Sequence, residues 1–166
     1  MVSFVLSGVA ALFAVLQTTW FAGWTVAGAR PDLVLIVLTV SAHYTGVQRG
    51  QISGFLVGAV EDILSIAPLG FHAVLRVAHT AVAGLSNGAV QADTWLTPML
   101  LVALASAVKQ IAAVLFSHLI GAEEIVSTVF TIPTAVELGL NILIAPFGFW
   151  ALKPVIRRFS RTGGFS

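Results

Sequence analysis

Five ionisable side chains lie inside stretches of sequence that are otherwise apolar: Glu61, Asp62, Arg76, Lys109 and Glu137. Charges in a nonpolar surrounding are costly, and they persist there when they pair with one another or serve an ion or proton path. Counting from the turn at Pro68-Leu69, Glu61 and Arg76 are equally far from the bend, and Asp62 is one residue closer. Two antiparallel helices joined there would bring a carboxylate and a guanidinium to one depth. Counting from Glu123, Lys109 and Glu137 are also equidistant, each about 14 residues or roughly 21 Å along a helix from the bend. Either pairing reads in two ways. As structure, it neutralises its own charges, and removing one partner costs about 3–5 kcal/mol. As chemistry, it is a proton or ion relay, or a contact for another membrane protein. If Lys109 and Glu137 pair directly, exchanging their charges should restore what either single substitution removes.

His72, Arg76 and His79 follow at i, i+4 and i+7, one face of a helix. With Glu61 and Asp62 they form a candidate buried polar cluster. Imidazole and carboxylate are metal ligands, but the spacing is unspecific, the H-E-x-x-H pair of zinc hydrolases is missing, and no metal is expected. His43 and His118 sit near the ends of apolar stretches, where amphipathic side chains settle. There is no G-x-S-x-G elbow, P-loop or dinucleotide fingerprint. There is no cysteine, so disulfides, thiol catalysis and cysteine-ligated metal are excluded. Neither an enzyme nor a cofactor is expected.

The elements that must position these residues are transmembrane helices. Hydrophobic residues make up 58% of the 166 and charged ones only 9%, where a soluble domain is about a quarter charged. A soluble chain of this length could not hide so much apolar surface. The apolar stretches do not alternate as barrel strands would, and several approach the ~20 residues a spanning helix needs. Six helices are predicted, over about 2–21, 32–45, 51–66, 71–87, 98–119 and 127–152, with a short basic tail at 153–166. The first ends near Trp20 and Trp24. The second and third are short for a full span, and Pro133 and Pro146 predict a kink or a late start in the sixth. Ala27-Gly28-Ala29 has the form of a signal cleavage site, but the apolar run is long and no basic residue precedes it, which favours a retained helix. Lysine and arginine set the orientation. One side holds Arg49, Lys153, Arg157, Arg158 and Arg161, and the other holds Arg30 with Glu123 and Glu124, so both termini are expected in the cytoplasm. The basic tail suits anionic lipid headgroups. A net charge of +1 gives no field to draw nucleic acid.

Gly46, Gly50, Gly54 and Gly58 recur every fourth residue and lead towards Asp62. Overlapping G-x-x-x-G motifs let two helix backbones approach closely. The stripe with Asp62 is therefore a candidate packing face, either inside the bundle or against a partner.

The stretch 30–85 resembles the MreD family of the bacterial rod-shape (elongation) complex. The likeness rests on Pro31-Asp32-Leu33, on Arg49-Gly50 with Gly54 and Gly58, and above all on Asp62-Ile63-Leu64-Ser65 followed by Pro68-Leu69-Gly70-Phe71-His72. It covers about a third of the chain; Gly84-Leu85-Ser86-Asn87 departs from the family's usual close of the fourth helix. The resemblance implies a non-enzymatic scaffold in the cytoplasmic membrane. It implies MreC, a single-span protein, as partner and, within a larger complex, MreB, RodA and its transpeptidase. It also implies a fold similar to the S components of energy-coupling-factor transporters. That fold supplies the rival expectation: a substrate-binding vitamin-transporter subunit with the polar cluster lining its pocket.

Overall fold

In the computed structural model the protein is all-helical, with six named helices and no strands among the described residues, which are 2–19, 23, 25–90, 95–122, 126, 129 and 131–161. Helix α1 spans Val2–Thr19, α2 Leu33–Thr45, α3 Val47–Leu64, α4 Phe71–Leu85, α5 Leu96–Leu119 and α6 Ile132–Arg161. Trp20, Trp24, Glu123, Glu124 and the last five residues, for which expectations were given above, lie outside the described residues.

Helix α2 is the axis of the bundle. It has 13 residues, about 20 Å, and every residue from Val34 to His43 is buried. It touches all five other helices. A helix that is apolar all round belongs in such a place, which explains its shortness: the other helices enclose it. Leu35, Ile36 and Val40 pack with Leu6 of α1, Val102 of α5 and Phe149 of α6, while Val34, Val37 and Leu38 meet Ala10 and Ala14 of α1 and Val57 of α3.

Outward side chains are apolar as well. Leu100, Leu104, Ile111 and Leu115 on α5 are exposed, as are Leu143, Phe147 and Trp150 on α6. A monomer in water does not sustain apolar stripes of this extent. Helices α5 and α6 are long and apolar enough to cross a membrane.

Two boundaries differ from expectation for physical reasons. Helix α3 begins at Val47, not at 51, because Gly46 alone makes the α2–α3 junction: at φ +84° it ends one helix and starts the next. Helix α6 begins late, at Ile132, with Pro133 in its first turn, where a proline costs no hydrogen bond. It then runs through Pro146 and Pro154 to Arg161, so the basic segment from Lys153 continues the helix instead of forming a separate tail. Ala27 and Gly28, read as part of a cleavage-like motif, form a tight turn with positive φ at both residues, closed by reciprocal Val26–Ala29 backbone hydrogen bonds of 2.8 and 2.9 Å.

The glycine stripe packs inside the bundle. A Cβ at Gly58 would stand 2.5 Å from Ala73 Cα, and one at Gly54 would stand 2.7 Å from the Arg76 carbonyl oxygen, both on α4. At the other end Gly84 of α4 returns the contact, with a Cβ there 2.6 Å from Val47 Cα. For Gly50, Gly54 and Gly58 the packing is internal: Ala42 of α2 and residues 72–80 of α4 cover them, which leaves no room there for a partner helix. Gly54→Leu is expected to lower thermal stability in detergent by at least the ~1–3 kcal/mol of ordinary overpacking, since backbone stands in the way. Gly139→Ala, where a Cβ would meet nothing within 4 Å, should leave it unchanged or raise it by up to about 1 kcal/mol. Equal stability of the two variants would refute the close α3–α4 contact.

Candidate functional site

The close α3–α4 approach sets up the site. Arg76, in the second turn of α4, extends its guanidinium towards the end of α3, where Nε and Nη2 donate to Glu61 Oε2 and Oε1, each at 2.6 Å. Its other edge faces Asp32: Nη1 donates to Oδ2 at 2.8 Å and Nη2 to Oδ1 at 3.1 Å. One planar fork thus grips two carboxylates, an arrangement that lysine cannot reproduce.

Asp32 is the member that sequence reasoning missed. It is the N-cap of α2, and its Oδ1 accepts from the Leu35 N–H at 2.8 Å. The same carboxylate accepts from Lys109 Nζ at 2.9 Å, and its backbone N–H donates to Asn141 Oδ1 at 2.7 Å. Lys109 then reaches Glu137 Oε1 at 2.5 Å. The result is a continuous chain, Glu61–Arg76–Asp32–Lys109–Glu137, drawn from α3, α4, the cap of α2, α5 and α6. Counted at formal charges, three carboxylates against two cations leave it with one excess negative charge. Arg76 is only 6% exposed and Glu137, the most open member, 26%. The signal that marked Asp32 in the sequence was the Pro31-Asp32-Leu33 order, which reads as a helix start and so hides the second use of the side chain.

The expected Lys109–Glu137 pair is present: Lys109 lies about ten residues before the end of α5 and Glu137 about five after the start of α6, and the two side chains meet.

Asp62 and His72 belong to a different construction. Asp62 Oδ2 accepts from the Gly70 N–H at 3.0 Å and the Ala73 N–H at 3.3 Å, and Oδ1 accepts from the His72 N–H at 2.8 Å. It therefore caps the start of α4 from the end of α3 and favours that helix's positive pole. His72 Nδ1 lies 3.0 Å from the same carboxylate. Ser65 Oγ accepts from the Ala67 N–H at 2.9 Å, and Gly70 takes the left-handed conformation at φ +91°. The D-x-L-S and P-L-G-x-H segments are thus the parts of one locked turn. Asp62 is not the spare acid of the Arg76 cluster.

His79, fully buried, has Nδ1 3.2 Å from the Leu75 carbonyl and no partner at Nε2 among the described residues. It stands one turn beyond Arg76. Ser106 Oγ and Asn141 Nδ2, each about a turn from Lys109 and Glu137, also have no hydrogen-bond partner among the described residues. His72, Arg76 and His79 share a helical face but not a site, and no group of three metal-ligating side chains converges among the described residues. At the opposite end His43 is buried with Nδ1 2.7 Å from Ser86 Oγ; His118, near the end of α5, is exposed.

Chemically, the network joins helices, and every charged member is engaged by another. Helices with apolar outer faces and their charges paired inside are those of an integral membrane protein. The family model described as rod shape-determining protein MreD matches residues 1–159, and the chain belongs to that family. No curated protein and no solved structure matches it. The family is one of membrane proteins that determine rod shape, and the match extends the likeness of residues 30–85 to α1, α5 and α6.

Two outcomes follow from the network. Asp32→Asn keeps the cap and the shape but removes the one carboxylate that Arg76 and Lys109 share, leaving each buried cation a single partner and cutting the link between the two pairs. It should cost about 3–5 kcal/mol in thermal unfolding, well beyond the cost of Glu137→Gln. Equal losses would remove Asp32 from the centre. The charge swap of Lys109 with Glu137 is now expected to fail, because a glutamate at 109 would face the Asp32 carboxylate; recovery of expression in the swapped double variant would contradict the Lys109–Asp32 contact.

Proposed function

We propose that the protein is a six-span scaffold of the bacterial elongation complex, with both termini in the cytoplasm, that binds MreC and helps couple MreB to RodA and its transpeptidase. The observation that carries this reading is the family match across residues 1–159. The structure adds support of a physical kind. Arg49 stands at the start of α3, and Lys153, Arg157 and Arg158 stand at the end of α6. In an antiparallel six-span arrangement these fall on one side, as the positive-inside tendency requires. Helix α6, 30 residues or about 45 Å, exceeds a ~30 Å hydrocarbon core and would carry its basic end past the membrane surface. In this orientation the ion network lies in the outer half of the bundle.

The transporter-subunit reading needs the polar cluster free to hold a ligand. Glu61, Arg76 and Asp62 are instead bonded within the chain, which favours the scaffold. Co-purification from native membranes tests the choice: MreC should accompany the tagged chain. Loss of MreC, together with stabilisation of the isolated chain by a vitamin-sized ligand, would reverse it. Orientation is tested separately, because the chain has no cysteine of its own. Leu69→Cys should react with an impermeant thiol reagent from the periplasmic side and Ala89→Cys only from the cytoplasmic side. The reverse pattern would invert the topology.

A further inference from the structure

Between α5 and α6 a groove of about 420 Å³ is lined by Ser106, Ala107, Gln110, Thr134, Ala135 and Glu137, among others. We propose that this groove receives one transmembrane helix of a partner, seated by a hydrogen-bond-donating or basic side chain that meets Glu137. The inference rests on the scaffold reading above and adds the place and the chemistry of contact.

Charge is the first reason. The ion network holds one excess negative charge, and Glu137, its most open member at 26% exposure, lines the groove. A donor or cation arriving there offsets that excess. An acyl chain supplies neither, and a phosphate headgroup would add a like charge. Polarity is the second. Ser106 is only 3% exposed, its hydroxyl has no partner among the described residues, and it lines this same groove beside Gln110. A buried hydroxyl without a partner is costly, and a polar side chain entering the groove at this wall would relieve that cost.

Shape is the third. Ala107 and Ala135 are small and exposed. One turn beyond Ala135, Gly139 is also exposed, and a Cβ there would meet nothing within 4 Å. Gly50, Gly54, Gly58 and Gly84 are each covered by neighbouring atoms of this chain. A small-x-x-x-small step left open on an outward face admits a second helix backbone. Gly8 on α1 is equally open, but its neighbours Phe4 and Leu12 are exposed and apolar, a surface suited to lipid.

The test is quantitative co-purification of the full chain with its single-span partner. Ala107→Trp and Ala135→Trp fill the groove from outward positions and should leave the thermal stability of the chain unchanged. Each is expected to reduce recovered partner about tenfold or more, as hot-spot changes do, while Gly8→Leu retains it. A partner helix whose polar and basic membrane residues are replaced by leucine should be lost to a similar degree. Wild-type recovery of partner with both tryptophan variants would overturn the groove assignment, and undiminished recovery of the all-leucine helix would overturn its chemistry. Ala107→Cys cross-linking two copies of this chain in native membranes, and not the partner, would overturn the choice of occupant. Failure of the unaltered chain to retain any partner would remove the scaffold reading itself, and the groove assignment with it.

Discussion

One carboxylate holds the bundle's charges together. Asp32 accepts from Arg76 and from Lys109 while capping α2, the helix around which the others pack. A guanidinium and an ammonium buried in an apolar bundle are costly alone, and their attraction to shared counter-ions offsets that cost only when geometry is close. Glu61 and Glu137 close the two ends. Because the five side chains come from five helices, the network fixes how those helices stand in relation to one another. That is a role that apolar packing, being non-directional, cannot fill by itself.

The network depends in turn on residues with no charge. Arg76 reaches Glu61 because α3 and α4 lie in backbone contact, and they do so because Gly54, Gly58 and Gly84 present no side chain. The turn locked by Asp62 joins the same two helices at their common end. Without a hydrophobic force between helices in lipid, small residues and polar bonds supply the association, and this chain uses both at one junction. The glycines also account for where partners are to be sought. The α3 face is occupied, so contact with other proteins falls to faces that remain open.

Much of this was legible in the sequence, and the remainder has physical causes. Helix existence followed from uncharged runs, and the Glu61–Arg76 depth from counting around Pro68-Leu69. The glycine period gave the packing face but not its occupant, since a G-x-x-x-G step is the same for an internal helix and an external one. Asp32 was hidden because a carboxylate at a helix start has a sufficient local use as a cap. Asp62 looked like a member of the Arg76 cluster because it neighbours Glu61, yet one residue is about 100° of helix, and that rotation aims it at the turn. The Lys109–Glu137 pair also followed from counting around a bend, but the second partner of Lys109, Asp32, did not, because it lies 77 residues away in the chain.

The central claim is that the five charged residues act as one unit. Glu61 and Glu137 stand at its opposite ends and do not touch, so they are linked only through Arg76, Asp32 and Lys109. Thermal unfolding of Glu61→Gln, Glu137→Gln and the double variant measures that link. One neutralisation takes the network from one excess negative charge to balance; two take it to one excess positive charge. If the five act together, the double variant loses more than the sum of the single losses, by at least ~0.5 kcal/mol. Additive losses would contradict that claim.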